Sequence, residues 1–156
     1  MMKIGIIVFS KTNNTFSIAE RLRDALVKRG LDVVIDRVIP VSDDPGPKDS
    51  IEFRHLPDVS DYDVIIFGSP VWAFSLSWVM KAYLTQVSSL SGKKVFSFVT
   101  KQMASKFTGG NKAIRQIRSA VEAKNAKVDN SFIISWKSKN REKEIADCID
   151  QIAKSL

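Results

Sequence analysis

The strongest constraint in this chain is a set of apolar runs that have no polar face. Ile4-Gly5-Ile6-Ile7-Val8-Phe9 and Val64-Ile65-Ile66-Phe67-Gly68 lack the every-second-residue polarity of a strand with one side in water. Each must therefore be covered on both faces. Further strand-like runs occupy residues 31–39, 94–99 and 128–136, with 62–68 as the third of five. Between them apolar residues recur at helical spacing: Ile18, Leu22, Ala25 and Leu26 first, then Leu76, Val79, Met80, Tyr83, Leu84 and Val87, then Ile114, Ile117 and Val121. A last stripe, Ile145, Cys148, Ile149, Ile152 and Leu156, marks a closing helix over 141–156. Strands that alternate with helices and are buried on both faces make a parallel sheet joined by right-handed crossovers. The fold class is thus α/β, a doubly wound five-stranded parallel sheet, and 156 residues suit a single domain, 1–156.

The connections are uneven. A first helix over 14–29 ends at Gly30, and Pro40 closes the second strand. Residues 40–61 hold Pro40, Pro45, Gly46, Pro47 and Pro57 among many acids, so a loop is expected where strict alternation would put a helix, with one helical turn near 49–55. Three other loops start at Ser10, Gly68 and Thr100, the last closing on Gly109-Gly110, and Ser75 or Ser77 is placed to cap the helix after the second.

Ser10-Lys11-Thr12-Asn13-Asn14-Thr15 sits where a strand hands over to a helix. There the first backbone N–H groups lack partners, the macrodipole is positive, and the hydroxyls of Ser10, Thr12 and Thr15 can donate, all of which suits a phosphate. The same six residues also describe an ordinary polar loop with a Thr or Asn N-cap. With Phe67-Gly68-Ser69-Pro70-Val71-Trp72, they resemble the two cofactor loops of the flavodoxin family, and the resemblance covers essentially the whole chain. It implies the flavodoxin-like strand order 2-1-3-4-5, with FMN bound beyond the carboxyl ends of the first and third strands, where the order reverses. By that similarity Ser10, Lys11, Thr12, Asn13, Asn14 and Thr15 wrap the phosphate. Ser69, Pro70, Val71, Trp72 and Ala73 flank the N5 edge of the ring with Trp72 against one face, and Thr100, Lys101, Gln102 and Gly109 complete the pocket. Without the resemblance Trp72 is a core or edge aromatic. Trp78, off its helix's apolar stripe, suits a homodimer contact, a pocket rim or an incidental exposed position.

Departures from the family pattern bear on the chemistry. Asn13 replaces a usual Gly, which Asn tolerates in a left-handed backbone. Ala73 stands where a Gly is common, one whose peptide flips when N5 gains a proton; reaching positive φ costs Ala about 1 kcal/mol or more. The third loop carries Lys101 and Lys106 and no acid, with Phe107 as its stacking residue, so it favours an anionic reduced flavin. Both departures point to two-electron cycling.

Neighbouring folds drop out on motif. Ile6, Ile7 and Gly68-Ser69 stand where a phosphoacceptor receiver domain needs acids, and Phe9-Ser10-Lys11-Thr12-Asn13-Asn14 is not Gly-x-Gly-x-x-Gly. The net charge of +7 is concentrated: residues 93–143 hold 13 Lys or Arg against 3 acids, whereas residues 1–92 hold 10 against 11 and 144–156 hold 1 against 3. Basic residues without interleaved aromatics read first as a solvated face, and nucleic acid is disfavoured as a partner; an anionic ligand or acidic redox partner also accounts for them. One cysteine, Cys148, on an apolar helix stripe reads as a buried thiol, and with no leader or membrane-length segment the expected compartment is the cytoplasm. His55, with no second His or Cys near it, names no metal site but a surface or loop-packing residue. No loop offers a catalytic acid or base.

Three functions fit. The first is an FMN-binding redox protein carrying out electron transfer with a redox partner protein or small-molecule acceptor. The second is an NAD(P)H-dependent FMN reductase of quinones or other small acceptors, with Lys101, Lys106 and Lys112 meeting a pyrophosphate or 2′-phosphate. The third is a flavin-free binding module using the basic flank.

Overall fold

In the computed structural model, which describes residues 2–105 and 107–156, the elements in chain order are β1 (Lys3–Val8), α1 (Asn14–Lys28), β2 (Asp32–Arg37), β3 (Ile39–Pro40), β4 (Phe53–His55), β5 (Val64–Trp72), β6 (Ser75–Leu76), α2 (Trp78–Gln86), β7 (Lys94–Lys101), α3 (Gly110–Glu122), β8 (Val128–Ser135) and α4 (Arg141–Lys154). β2, β1, β5, β7 and β8 lie side by side in that order, every pair parallel. Counted by the five parallel strands alone, this is the expected order 2-1-3-4-5. The apolar runs force it. β1 and the first six residues of β5 are buried almost throughout, and helices cover both sides.

One core layer packs Phe67, Met80, Tyr83, Ile117 and Val121 between the sheet and α2 and α3. The other packs Ile6, Ile18, Leu22, Ile145, Cys148 and Ile152 under α1 and α4. Register then sets the site: Val8 pairs with Gly68, and Pro70 with Thr100, so β1, β5 and β7 end close together. Gly68 is required there, because a Cβ on it would lie 2.3 Å from the Phe98 ring.

Two expectations are corrected. Residues 49–55 form no helical turn; Phe53–His55 instead pairs antiparallel with Ile39–Pro40. Extended pairing sets Phe53 edge-on to Tyr83, centroids 6.5 Å apart, an aromatic contact that one exposed helical turn does not replace. The rest of 40–61 is held by α2: Trp78 Nε1 donates to the Pro45 carbonyl at 2.7 Å and the Tyr83 hydroxyl to the Pro57 carbonyl at 2.7 Å. Burial raises the Tyr83 hydroxyl pKa well above its usual value, so it stays a donor. The loop expected after residue 68 is also largely strand, because β5 continues to Trp72 and folds back as β6. Ser77 caps α2, its hydroxyl accepting from the Met80 N–H at 3.2 Å. His55 lies 2.7 Å from the Asp36 carboxylate, tying the β3–β4 ribbon to β2. Among the described residues no helix is long and apolar enough to cross a membrane.

Candidate functional site

The first loop is shaped by its own small polar groups. The Phe9 N–H donates to the Gly68 carbonyl at 3.1 Å, carrying β1's alignment one residue further. Asn13 then takes φ 72, a left-handed backbone that Asn accepts at little cost, and its carbonyl receives the Ser17 N–H at 2.9 Å to start α1. Ser10 Oγ accepts from the Phe16 N–H at 3.1 Å, which leaves the Ser10 proton free to donate. Thr15 is turned inward, its hydroxyl 2.8 Å from that of Thr100 in a buried pair that fastens this loop to β7. No acid stands in the first turn of α1, so nothing there neutralises the helix dipole.

Two residues depart from the sequence reading. Lys11 reaches outward to Asp44 at 2.7 Å. Arg37, which the sequence reading did not single out, sits behind the turn: its guanidinium lies 4.2 Å from the Phe16 ring centroid, and Nη2 donates to the Ser10 carbonyl at 3.4 Å. The only signal for it was its place at the end of the second strand.

The second loop is a strained hairpin. Trp72 pairs with Ser75, and the two residues between them, Ala73 at φ 48 and Phe74 at φ 61, are both left-handed. Such a turn ordinarily takes Asn-Gly, and Ala and Phe each add about 1–2 kcal/mol of strain. The expected role of Ala73 is corrected accordingly. It does not resist reaching positive φ, since it is already there, and leaving that state would open the β5–β6 turn.

The hairpin is pinned from three sides. Gln116 Oε1 on α3 accepts from the Ser75 hydroxyl at 3.0 Å and the Leu76 N–H at 2.8 Å. The Ser77 N–H donates to the Pro70 carbonyl at 3.2 Å. Trp72 is wedged between Phe9 and Trp78, with centroids 5.3 Å and 4.7 Å away. Ser69 faces the interior, its hydroxyl donating to the Pro70 carbonyl and lying 2.9 Å from that of Ser77.

In the third loop Lys101 is only 7% exposed. Its ammonium donates to the Ser105 carbonyl and, at 2.7 Å, to the Thr108 hydroxyl. Burial lowers its pKa. Its backbone carbonyl accepts from the Trp136 N–H at 2.7 Å, and that of Gln102 from the Lys137 N–H at 2.9 Å, so the residues just after β8 brace this loop. Gly109, at φ 93, precedes α3 directly beneath Phe74. Lys106 lies outside the described residues, and Phe107 is 82% exposed.

Thr12, Asn14, Pro70, Val71, Trp72, Thr100, Lys101 and Gln102 meet around one crevice of about 180 Å³. Ser10 adjoins it on the turn before α1 with its hydroxyl proton free, Asn13, Thr15 and Ser69 are not among its lining residues, and Lys11, Ala73 and Gly109 lie off it. No carboxylate is among the lining residues. The donor set matches a phosphomonoester on a polyol joined to a flat aromatic. The bare α1 N-terminus and Ser10 suit the phosphate, Thr12, Asn14, Thr100 and Gln102 suit hydroxyls, and Val71 and Trp72 offer apolar surface to a ring.

A polar crevice at the switch point of a doubly wound parallel sheet is the arrangement of flavodoxin-fold proteins. The sequence pattern of the flavodoxin-like fold family matches residues 2–156, and the chain belongs to that family. A NAD(P)H dehydrogenase (quinone) of Archaeoglobus fulgidus is 31% identical over 102 residues, 58% of this chain and 53% of that protein, so the match spans about half the length of this relative. Oxidised flavodoxin 2 from Bacillus cereus superposes with a TM-score of 0.69 at 18% identity over 99% of both chains. The flavodoxin of Fusobacterium nucleatum bound to flavin mononucleotide gives 0.68 at 18% identity, covering 100% of this chain and 99% of that one.

Proposed function

We propose that this chain binds FMN in the crevice between the three loops and works as an electron-transfer flavoprotein that cycles by two electrons. The observation carrying the reading is the convergence of the ends of β1, β5 and β7 on an acid-free crevice at the N-terminus of α1. The names of its structural neighbours, an oxidised flavodoxin and a flavodoxin bound to flavin mononucleotide, support the choice of cofactor. At about 180 Å³ the enclosed part is smaller than the roughly 300–1,000 Å³ of a pocket that swallows a whole ligand. It would therefore hold the phosphate and the start of the ribityl chain, with Val71 and Trp72 offering apolar surface to the ring.

When bound, FMN supplies the redox chemistry, accepting and releasing electrons at its ring. The chain's residues bind, orient and exclude water. Ser10, Thr12 and the first N–H groups of α1 would hold the phosphate, with the Arg37 guanidinium behind the turn adding positive potential. Trp72, wedged by Phe9 and Trp78, keeps water from one side of the ring. Two features favour two-electron cycling: a hairpin already committed to its left-handed turn, which resists a redox-linked peptide flip, and the absence of acids from the crevice lining.

A second reading, an NAD(P)H-dependent reductase of quinones or other small acceptors, is favoured by the name of the Archaeoglobus relative. Reconstitution tests the first step. The purified chain should take up one FMN and become yellow, and Ser10→Asp should weaken binding roughly a hundredfold or more, since unit charges ~4 Å apart interact by about 4 kcal/mol at an effective dielectric near 20 before screening. No uptake of FMN by the unaltered chain would refute the cofactor assignment. Stepwise reduction should then pass from oxidised to fully reduced flavin, and build-up of a stable one-electron form to near completion would refute two-electron cycling. Rapid NADPH oxidation with a quinone acceptor, lost in Ser10→Asp, would select the reductase.

A further inference from the structure

On the face of the molecule beside the crevice, α2 and α3 leave a groove between them of about 700 Å³, nearly four times the crevice itself. Its floor is apolar, made of Leu76, Leu84 and Ala120, and its rim carries Lys81, Lys112 and Arg115. All three cations are exposed, and among the described residues none of them forms an ion pair. The groove adjoins a second hollow lined by Phe74 and Phe107, with Lys112 and Arg115 common to both. Phe74 is 62% exposed although it occupies a left-handed position that a smaller residue would fill at lower cost.

An apolar trough flanked by unpaired cations is complementary to one kind of surface. We propose that the α2–α3 groove docks an acidic amphipathic helix of another protein, its leucine-type side chains on Leu76, Leu84 and Ala120 and its carboxylates on Lys81, Lys112 and Arg115. The shape suits a helix, because the groove runs between two helices, with Leu76 and Leu84 set below its exposed rim cations, as in grooves that seat helical anchors. A bilayer surface is flat and cannot reach the recessed floor. A nucleic-acid backbone would find cations on the rim but apolar carbons where its sugars and phosphates need polar partners. Docking here also acts on the neighbouring crevice: Gln116, which lines the groove, is the residue holding Ser75 and Leu76 of the hairpin. This inference concerns a surface outside the crevice and stands whether or not FMN binds there.

The probe is a labelled synthetic helix with Leu at positions i, i+3, i+4 and i+7 and Glu beside them, followed by fluorescence anisotropy with the apo chain and with the chain after FMN addition. Saturable binding is expected that weakens steeply between low and high salt, as charge-steered association does. Lys81→Glu with Arg115→Glu, both exposed and outside the core, should weaken it roughly tenfold or more. Lys139→Glu with Lys143→Glu changes the net charge equally on exposed positions elsewhere and should leave binding within about twofold. Far-UV circular dichroism checks that all variants are folded.

Failure of the Glu-Leu helix to bind, equal binding of a scrambled peptide of the same composition, or equal losses in the two double variants would each overturn the proposal. So would binding of phosphatidylserine vesicles that is lost in the groove variant while the peptide stays unbound. That result would assign the cations to a membrane surface.

Discussion

Gly109 and Gly92 together separate backbone strain from a steric clash at the candidate site. Both are left-handed, at φ 93 and φ 80, so replacing either by Ala imposes the same conformational penalty of about 1 kcal/mol. Their surroundings differ. A Cβ on Gly92 meets nothing within 4 Å, whereas one on Gly109 would lie 2.4 Å from the Phe74 Cα and carbonyl carbon, more than 1 Å inside ordinary contact. These are backbone atoms of an already strained turn that Gln116 holds in place, so they cannot swing away as the tip of a side chain would. Overpacking of this kind adds about 1–3 kcal/mol. Gly92→Ala should therefore cost about 1 kcal/mol and Gly109→Ala about 2–4 kcal/mol, read as the shift in urea midpoint at constant m. If the crevice holds FMN, the displaced hairpin should also weaken FMN binding in Gly109→Ala and leave it unchanged in Gly92→Ala. Equal destabilisation by the two substitutions, within about 0.5 kcal/mol, would show that Gly109 does not clamp the hairpin.

Three further outcomes are expected. Thr15→Val and Thr100→Val should each cost about 1–3 kcal/mol by stranding the other buried hydroxyl, while the double variant should cost little more than either; additive losses in the urea midpoint would break the proposed pair. Trp78→Phe removes the hydrogen bond to the Pro45 carbonyl and should cost about 1 kcal/mol while speeding protease cleavage within residues 41–52; an unchanged cleavage rate would show that this bond does not hold the segment. Cys148 is fully buried and burial pushes its thiol up to about 12, so native protein at pH 8 should resist a thiol reagent and urea-unfolded protein should release one equivalent. Because the folded value is raised, its contribution to stability is intact below the unfolded pKa and is lost only as pH climbs towards about 12; equal thiol reactivity in native and unfolded protein would contradict that burial.

The parts of the fold that could be read from the sequence are those where a residue's own chemistry decides its place. Runs such as Ile4–Phe9 have one workable environment, a strand covered on both faces, and the helical stripes say which side of each helix meets it. The strand order followed once the chain was recognised as similar to a known family. Residues 49–55 escaped because Phe53 finds Tyr83 only in three dimensions; nothing local distinguishes an exposed helical turn from a short ribbon. Ala73 misled for a related reason. Its side chain disfavours positive φ, yet the Trp72–Ser75 pairing and the Gln116 hydrogen bonds impose that φ, a tertiary override of local preference. Arg37 was silent because a single basic residue at a strand end has no pattern around it.

The hairpin and the turn over residues 10–15 reach the crevice by opposite means. Ser10 and Asn13 sit in conformations they adopt readily and accept short-range hydrogen bonds from the Phe16 and Ser17 N–H groups, so that turn is formed largely by local sequence, with Thr15 tying it to Thr100 on β7. Ala73 and Phe74 hold about 2–4 kcal/mol of unfavourable backbone geometry between them, and the elements that offset it, Gln116, Gly109 and the Trp72–Trp78 contact, come from three separate parts of the chain. Strain of that size persists only where the surroundings over-determine the turn. A chain under no constraint at Phe74 would be more stable with Gly there, and the aromatic, 62% exposed, gains little by packing against its own protein. In the proposed docking it would add apolar surface beside the groove, since the hollow it lines shares Lys112 and Arg115 with the groove. Phe74→Gly should consequently raise the urea midpoint by about 1 kcal/mol while weakening the Glu-Leu helix, a trade-off that a merely structural residue would not show.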